Sequence, residues 1–184
     1  MRAWLLSACL VFMAGCSSLP TVVGSPAGGK PATSFDLSGR LGVKYKKGGQ
    51  YGQLSWRHRE SRDEIDLRSP IGTQLARLDI DSSGARLDLG DGAIHAAPTV
   101  EGLSRELLGW ELPLSGLRYW VQAMPEPGGP ASIERDEQGR PCRLEQAGWT
   151  IDYDNYAQAL PGKLILRRQA LEIRLVIDDW NLTP

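Results

Sequence analysis

Two histidines and several carboxylates are the side chains of this sequence that are best suited to acid–base chemistry. His58 lies in WRHRE and His95 in GAIHA, and neither has a nucleophile or a carboxylate at a recognisable catalytic spacing. We interpret each histidine as a strand-surface or strand-end residue. Acidic pairs such as Asp178 with Asp179 have the pattern of a solvated face. We therefore predict that the protein is not an enzyme and has no metal and no cofactor.

Cys16 indicates a different chemistry, the attachment of lipid. Arg2 is followed by an apolar run, residues 3–14, which is too short to span a membrane but suits the core of a signal peptide. The run leads into Met13-Ala14-Gly15-Cys16, which resembles a bacterial lipobox with methionine in place of the usual leucine. We predict that residues 1–15 are a lipoprotein signal peptide and that Cys16 is acylated. The alternative is a plain secretory signal in which Cys16 is incidental.

The residues after Cys16 predict a destination and a tether. In the sorting rule that accompanies the lipobox, aspartate after the cysteine retains a lipoprotein in the inner membrane. Ser17 stands there, so we predict an anchor in the periplasmic face of the outer membrane, where two or more acyl chains hold a protein stably. The stretch up to Ser34 is rich in Gly, Pro, Ser and Ala. We interpret residues 16–34 as the lipidated N-terminus and a flexible tether.

Charge and cysteine content narrow the classes of partner. Lys and Arg number 21 against 22 Asp and Glu, and no basic stripe indicates nucleic acid. Once the signal peptide is removed and Cys16 is acylated, Cys142 is the one remaining cysteine, so no disulfide framework is expected. We interpret Cys142 as a small, half-buried strand residue, with a reactive thiol as the alternative.

A hairpin with an unusual tip is predicted at Ser69-Pro70-Ile71-Gly72, between two short alternating runs. Proline suits the second position of a type I turn and glycine the fourth. Ile71 is thereby placed at the apex, although hairpin tips are normally polar. The side chain is either tucked against a neighbouring loop or offered to something apolar outside. The predicted lipid anchor favours the second interpretation, contact of Pro70, Ile71 and Gly72 with the membrane.

Strands are predicted for most of the chain after residue 34. Apolar and polar residues alternate from Phe35 to Tyr45, and the same period of two recurs in roughly ten segments. Two segments have helical spacing instead. The first follows Thr99, which can cap its start, and Gly109 can end it. The second extends from Leu114 to Met124, and each helix is expected to have about three turns.

Helices this short cannot cover a sheet this wide, so the sheet must curl around its own apolar face. We predict one mainly-β domain over residues 35–184, a curved antiparallel sheet (open half-barrel) with a small helical lid over a hydrophobic cavity. A small barrel filled by its own side chains is the alternative. The candidate cavity residues are the apolar positions of the inward parity: Leu37, Leu41, Val43, Leu54, Trp56, Ile65, Leu67, Leu78, Leu107, Leu117, Trp120, Trp149, Ile151, Leu166, Ile173 and Leu175.

The order and spacing of several segments resemble the LolB family. These are LSGRLGV, a Leu-Ser-Trp strand, SPIG, LGWELPLSGLRYW, GWTIDY and a final strand ending in Asp-Trp, and they extend from Phe35 to Trp180. The resemblance implies a half-barrel closed by helices around a hydrophobic cavity. It also implies that Ile71 matches the family's apolar loop-tip residue, which is needed to hand cargo to the membrane. Some members have a helix before the first strand, which this Gly/Pro-rich tether is not expected to form.

The same resemblance implies the partners. They are a soluble periplasmic carrier of the LolA type, acylated lipoproteins that the chain inserts into the outer membrane, and the lipid of that membrane. We expect a monomer that binds no nucleic acid. The sequence contains no nucleotide-binding motif, so transfer is expected to run downhill in affinity. Two alternatives are a lipid-anchored, lipocalin-like binder of a small apolar ligand, and LolA itself, which the predicted lipid on Cys16 argues against.

Overall fold

The computed structural model describes residues 30–46 and 48–182. The predicted signal peptide, Cys16 and Ser17 lie outside the described residues. Within the described part of the chain, no helix is long and apolar enough to cross a membrane.

The described residues form a single antiparallel sheet of eleven strands with two helices. The strands are β1 (Ser34–Tyr45), β2 (Gly48–Arg59), β3 (Arg62–Arg68), β4 (Gln74–Asp81), β5 (Gly84–Asp88), β6 (Ile94–Ala97), β7 (Ala131–Arg135), β8 (Pro141–Gln146), β9 (Trp149–Asp154), β10 (Lys163–Arg168) and β11 (Leu171–Leu182). Their order across the sheet is β6-β5-β4-β3-β2-β1-β11-β10-β9-β8-β7, so β6 and β7 are edges and the sheet is open. The predicted mainly-β, antiparallel fold is confirmed.

Two short helices lie between β6 and β7 in the sequence, α1 (Val100–Leu108) and α2 (Leu114–Trp120). The Thr99 hydroxyl accepts a hydrogen bond from Gly102 N at 3.2 Å, and Gly109 ends α1 with φ +75°, as predicted. α2 is shorter than predicted and ends at Trp120. The chain then turns away, and Ala123 adopts a left-handed φ of +56°. Val121, expected on the helical stripe, is nevertheless fully buried.

The core lies between one face of the sheet and the two helices. Alternation puts the apolar side chains of each strand on this inner face, and α1 packs on β5 and β6. Trp120 lies so close to Gly116 that a Cβ at Gly116 would come within 2.4 Å of the indole. A glycine inside α2 therefore allows the largest core side chain to pack against its own helix.

Two features differ from the prediction made from the sequence, namely the number of strands and the start of the folded region. The additional strand is β6, a four-residue edge strand in a segment too short for a clear period. The folded region also begins slightly inside the predicted tether. Ala32 N donates to the Gln122 side chain at 2.8 Å, and Glu60 N donates to Thr33 O at 2.8 Å.

Candidate functional site

The predicted turn between β3 and β4 is present and its apex points outward. Gly72 N donates to Ser69 O at 2.9 Å, Ser69 N donates to Thr73 O at 2.8 Å, and Gly72 has a φ of +87°. These bonds hold Pro70 and Ile71 as the two central residues of the turn. Ile71 is 91% exposed. It is therefore not tucked against a neighbouring loop, and its side chain is available to a partner outside the fold.

The strand register places the turns after β1, β3 and β5 at one end of the sheet. We call this the loop end, because it carries Ile71, and the opposite end the closed end. The turns after β2 and β4, at residues 60–61 and 82–83, lie at the closed end. The C-terminal end of α1 also lies at the loop end, since a Cβ at Gly109 would lie 3.9 Å from the Tyr45 ring.

The structure brings the candidate cavity residues together between the inner face of the sheet and the two helices, but they are not equally enclosed. The buried ones are Leu37, Leu54, Trp56, Leu78, Leu117, Trp120, Trp149, Ile151, Leu166, Ile173 and Leu175. The half-buried ones are Leu41, Val43, Ile65, Leu67 and Leu107. The deep part of the predicted cavity is thus filled by the protein's own side chains, and the partly open apolar surface is confined to a smaller region.

That partly open region lies at the loop end. Along β1 the inward side chains pass from buried Phe35 and Leu37 to half-buried Leu41 and Val43. β3 shows the same gradient, from fully buried Asp63 to half-buried Leu67, the last inward side chain before the Ile71 turn. Along β1 and β3 the apolar inner face is therefore buried at the closed end and partly open beside Ile71, whereas on β11 Leu171 is buried at the loop end.

The outer face of the sheet offers a different surface. Two depressions on this face have charged side chains in their lining, such as Asp79 and Arg86 in one and Arg40 and Asp178 in the other. Neither depression suits an acyl chain, because contact with it would strip water from charged groups. Apolar cargo is consequently expected on the inner face.

A buried polar network fastens α2 to the closed end. Asp63 is fully buried, and its Oδ1 accepts hydrogen bonds from Trp56 Nε1 and His58 Nδ1, each at 2.8 Å. Its Oδ2 accepts from Arg118 Nε at 2.9 Å, and Arg118 Nη2 makes a second, shorter contact. The network joins β2, β3 and α2, so it fixes the position of the second helix on the sheet.

The network keeps Asp63 ionised. Burial disfavours the carboxylate, but the hydrogen bonds from His58 and Trp56 and the charge of Arg118 outweigh it and hold the pKa of Asp63 below its usual value. An ionised carboxylate can only accept hydrogen bonds, so His58 must carry its proton on Nδ1. The three donors therefore act together on one buried negative charge.

Acid is expected to weaken this attachment. Because the folded-state pKa of Asp63 is lowered, its contribution to stability is complete above the unfolded-state pKa of about 4 and is lost as the pH falls below that value. Urea unfolding followed between about pH 5 and pH 2 should show a decreasing free energy of unfolding. The same series in Asp63→Asn should show a shallower decrease. Equal slopes for the two proteins would contradict the assigned role of this carboxylate.

The network corrects the sequence-based interpretation of His58. That residue is 5% exposed on the inner face and is not a surface residue. The alternation of the strands could have indicated this inward position. His58 lies two residues from Trp56 on the same face of β2, and Asp63 lies two residues from Ile65 on the same face of β3. His95 lies half-buried in the edge strand β6, as expected for a strand residue.

Cys142 and possible metal ligands are the remaining chemical candidates in the described residues. Cys142 is an unpaired, half-buried residue of β8, which agrees with the interpretation of a small strand side chain. The residues that the structure describes include no group of three or more His, Cys, Asp or Glu side chains placed to hold a metal ion.

The two helices differ in how they are attached. Besides the Arg118 contact, α2 is held by Trp120 Nε1, which donates to Gln146 Oε1 of β8 at 2.8 Å. α1 packs on the sheet through Val100 and Leu103, and its C-terminal end is flanked by a surface ion pair between Glu111 and Arg168 at 3.6 Å. Exposed ion pairs contribute little stability. The C-terminal end of α1, at the loop end, therefore has fewer polar attachments to the sheet than α2.

Comparison with known proteins gives the same family along nearly the whole chain. Residues 33–180 match the family model for the outer membrane lipoprotein LolB. The chain is 41% identical over 176 residues to an outer-membrane lipoprotein LolB of Thiobacillus denitrificans, covering 94% of this chain and 93% of that protein. It is 34% identical to the LolB of Nitrosomonas europaea, covering 98% and 92% of the two chains. A counterpart from Pseudomonas aeruginosa is 31% identical, with 98% and 96% covered.

Among solved structures, the fold is similar to that of a LolA superfamily protein from Nitrosomonas europaea. The TM-score is 0.52 at 9% sequence identity, covering 84% of this chain and 88% of that one. At this identity the likeness concerns the fold, an open antiparallel sheet with helices on one face.

Proposed function

Because the chain belongs to the LolB family of outer-membrane lipoproteins, we propose that it receives acylated lipoproteins from a LolA-type carrier and inserts them into the outer membrane. Family membership itself supports a role in outer-membrane lipoprotein localisation and an interaction with lipoproteins and the carrier. It also supports the prediction that the protein is not an enzyme. The mechanism, the anchor and the membrane contact are our inference.

One observation carries the proposed mechanism. The half-buried apolar part of the inner face and the exposed Ile71 lie at the same end of the sheet, linked by the few residues between Leu67 and the turn. A lipoprotein acyl chain bound against Leu41, Val43 and Leu67 would thus leave the protein where Ile71 meets the bilayer.

Because side chains fill the core, bound acyl chains must displace part of the protein. Acyl chains enter at the loop end, displace the C-terminal end of α1 and lie against half-buried residues such as Leu107. α2 stays fixed by Asp63 and Arg118. Because each CH₂ removed from water contributes about 0.8 kcal/mol, a few carbons of an acyl chain offset the loss of the surface contacts that hold α1.

Transfer runs downhill in affinity from the carrier to this protein and then to the bilayer. Burying the Ile71 side chain contributes only about 1.5–3 kcal/mol. That energy positions the loop end on the membrane, and the bilayer's greater affinity for the acyl chains drives their release. The lipidated Cys16, sorted by Ser17 to the periplasmic face of the outer membrane, keeps the monomer close to its target.

The proposal is tested by depleting the protein from cells and following newly made lipoproteins. The expected result is an accumulation of outer-membrane lipoproteins in the periplasm, bound to the carrier. Normal delivery of lipoproteins after depletion would contradict the proposal. A small sterol, quinone or fatty acid purifying with the protein, in place of acylated lipoproteins, would favour the lipocalin-like alternative.

A further inference from the structure

Exposed apolar side chains are concentrated at the loop end of the sheet. The large apolar residues exposed in the described part of the chain are Tyr51, Ile71, Leu75, Ile94, Leu108 and Leu182. Only Leu182, paired with Phe35, lies at the closed end. Single exposed apolar residues are ordinary on protein surfaces, but a cluster at one end marks an interaction site.

Three of these residues lie on the outer face, one on each of alternate strands. Tyr51 in β2, Leu75 in β4 and Ile94 in β6 have the parity opposite to the buried positions of their strands. Tyr51 is 73% exposed, Ile94 71% and Leu75 37%. Alternate strands lie about 10 Å apart, and the register moves the side chains towards the closed end from Tyr51 through Leu75 to Ile94. They therefore form a diagonal row that begins behind the Ile71 turn. We call this row the outer stripe.

We propose that the outer stripe and Ile71 together form one membrane-docking surface, which contacts the headgroup and upper acyl region of a bilayer containing anionic lipid. The inference rests on the proposed function and specifies how the protein is oriented on its target membrane. The apolar side chains enter the bilayer surface. Tyr51 suits this position because its ring is apolar and its hydroxyl remains near the headgroups.

The charge of the exposed basic residues indicates that an anionic membrane binds to this surface. Lys44, Lys46 and Arg68 are exposed at the loop end and form no ion pair with any residue that the structure describes. Basic side chains near an anionic membrane surface each contribute about 1 kcal/mol, or roughly a fivefold change in occupancy. A surface that combines exposed apolar groups with unpaired positive charge matches an anionic bilayer.

Several acidic residues at this end have partners of their own. Glu172 of β11, opposite Lys44 of β1, pairs with Arg167 at 3.0 Å, and two others are used within their own turns. Asp88 accepts hydrogen bonds from Gly90 N at 2.7 Å and from the Gln74 side chain at 3.2 Å, and Asp91 accepts from Ala93 N at 2.9 Å. Asp88 and Asp91 lie on the β5–β6 side, whereas the basic residues lie on β1 and β3. Anionic lipid is therefore expected to draw the β1–β3 side closer, while Ile94 anchors the other side through apolar contact.

This orientation places the partly open inner face at the membrane. The outer stripe and the half-buried part of the inner face lie on opposite faces of the sheet at the loop end, with the Ile71 turn between them. When the outer stripe and Ile71 both touch the bilayer, the partly open end of the inner face, where an acyl chain would leave the protein, lies at the level of the lipid headgroups. Docking through Ile71 alone would leave the sheet free to tilt away.

The docking surface is tested on the full-length chain reconstituted in vesicles. A fluorophore sensitive to polarity is attached at Ile94→Cys in a Cys142→Ser background, with Leu182→Cys as the matched position at the closed end. The unsubstituted Cys142→Ser protein reports background labelling. The vesicles contain phosphatidylcholine alone or an equal mixture with phosphatidylglycerol. We expect a blue shift and quenching by lipid-borne quencher at position 94 in the mixed vesicles, and neither at position 182.

Variants then separate the apolar and charged contributions, read as the ratio of docked to undocked label at position 94. Tyr51→Ser, which removes the ring without adding a charge, should lower this ratio by roughly tenfold in both vesicle types. Lys46→Glu with Arg68→Glu should lower it only in the anionic vesicles, and added salt should have the same effect.

Each remaining outcome overturns the proposal. A label at position 94 that stays in water while Ile71→Asp still slows delivery would show that the turn acts alone, and the proposed function would stand. Equal shifts at positions 94 and 182 would show non-specific adsorption. A shift at position 94 that requires the carrier protein and not the vesicles would assign the surface to that protein.

Discussion

Ile71→Asp is expected to slow delivery of lipoproteins from the carrier to vesicles by about 10- to 100-fold. The substitution removes the apolar side chain that enters the bilayer and replaces it with a carboxylate that resists desolvation. The measurement is the time course of lipoprotein transfer from a LolA-type carrier to vesicles containing the protein. Because Ile71 is 91% exposed, the substitution should leave the free energy of unfolding within about 0.5 kcal/mol of the original value.

Two control variants make this result specific. Ile71→Leu keeps an apolar side chain at the apex and should transfer at close to the normal rate. Leu182→Asp changes an exposed apolar residue at the closed end and should have no effect on transfer. A normal rate in Ile71→Asp would show that the turn does not act at the membrane.

Asp63→Ala is expected to destabilise the protein by about 3–5 kcal/mol, the usual cost of removing one partner from a buried ion pair. The change leaves Arg118, His58 and Trp56 without the acceptor that all three share. α2 loses its attachment to β3, and the closed end should admit solvent. Urea unfolding measures the first effect, and amide hydrogen exchange in α2 measures the second.

The matched control is Asp178→Ala, which removes the 2.8 Å ion pair between Arg40 and Asp178 on the outer face. Both side chains of that pair are more than half exposed, so its loss should change stability far less than the loss of Asp63 does. If Asp63→Ala and Asp178→Ala lowered stability equally, the buried network would not be what holds α2 in place.

Local rules were enough to predict the turn, the first helix and the inner face. Proline and glycine at fixed positions predict the Ile71 turn, Thr99 and Gly109 define the ends of α1, and a period of two assigns each strand residue to a face. Each of these features depends on residues close together in the sequence. The structure confirms all three.

Depth of burial could not be predicted in the same way. Alternation gives Leu37 and Leu41 the same face, yet the first is buried and the second half-buried, because burial depends on where the helices cross the sheet. The buried network shows the same limit. Parity places His58 and Asp63 inward, but Arg118 is 55 residues from Asp63 along the chain, and no local pattern indicates that they meet.

The most direct test of the proposed mechanism asks where the acyl chains of a lipoprotein lie during transfer. A photoreactive residue is placed at position 67, half-buried on the inner face at the loop end, and separately at position 53, exposed on the outer face of the neighbouring strand. Illumination during transfer from the carrier should crosslink the acyl chains to position 67 and not to position 53. Crosslinking at position 53, or at neither position while transfer proceeds, would contradict an acyl path along the inner face.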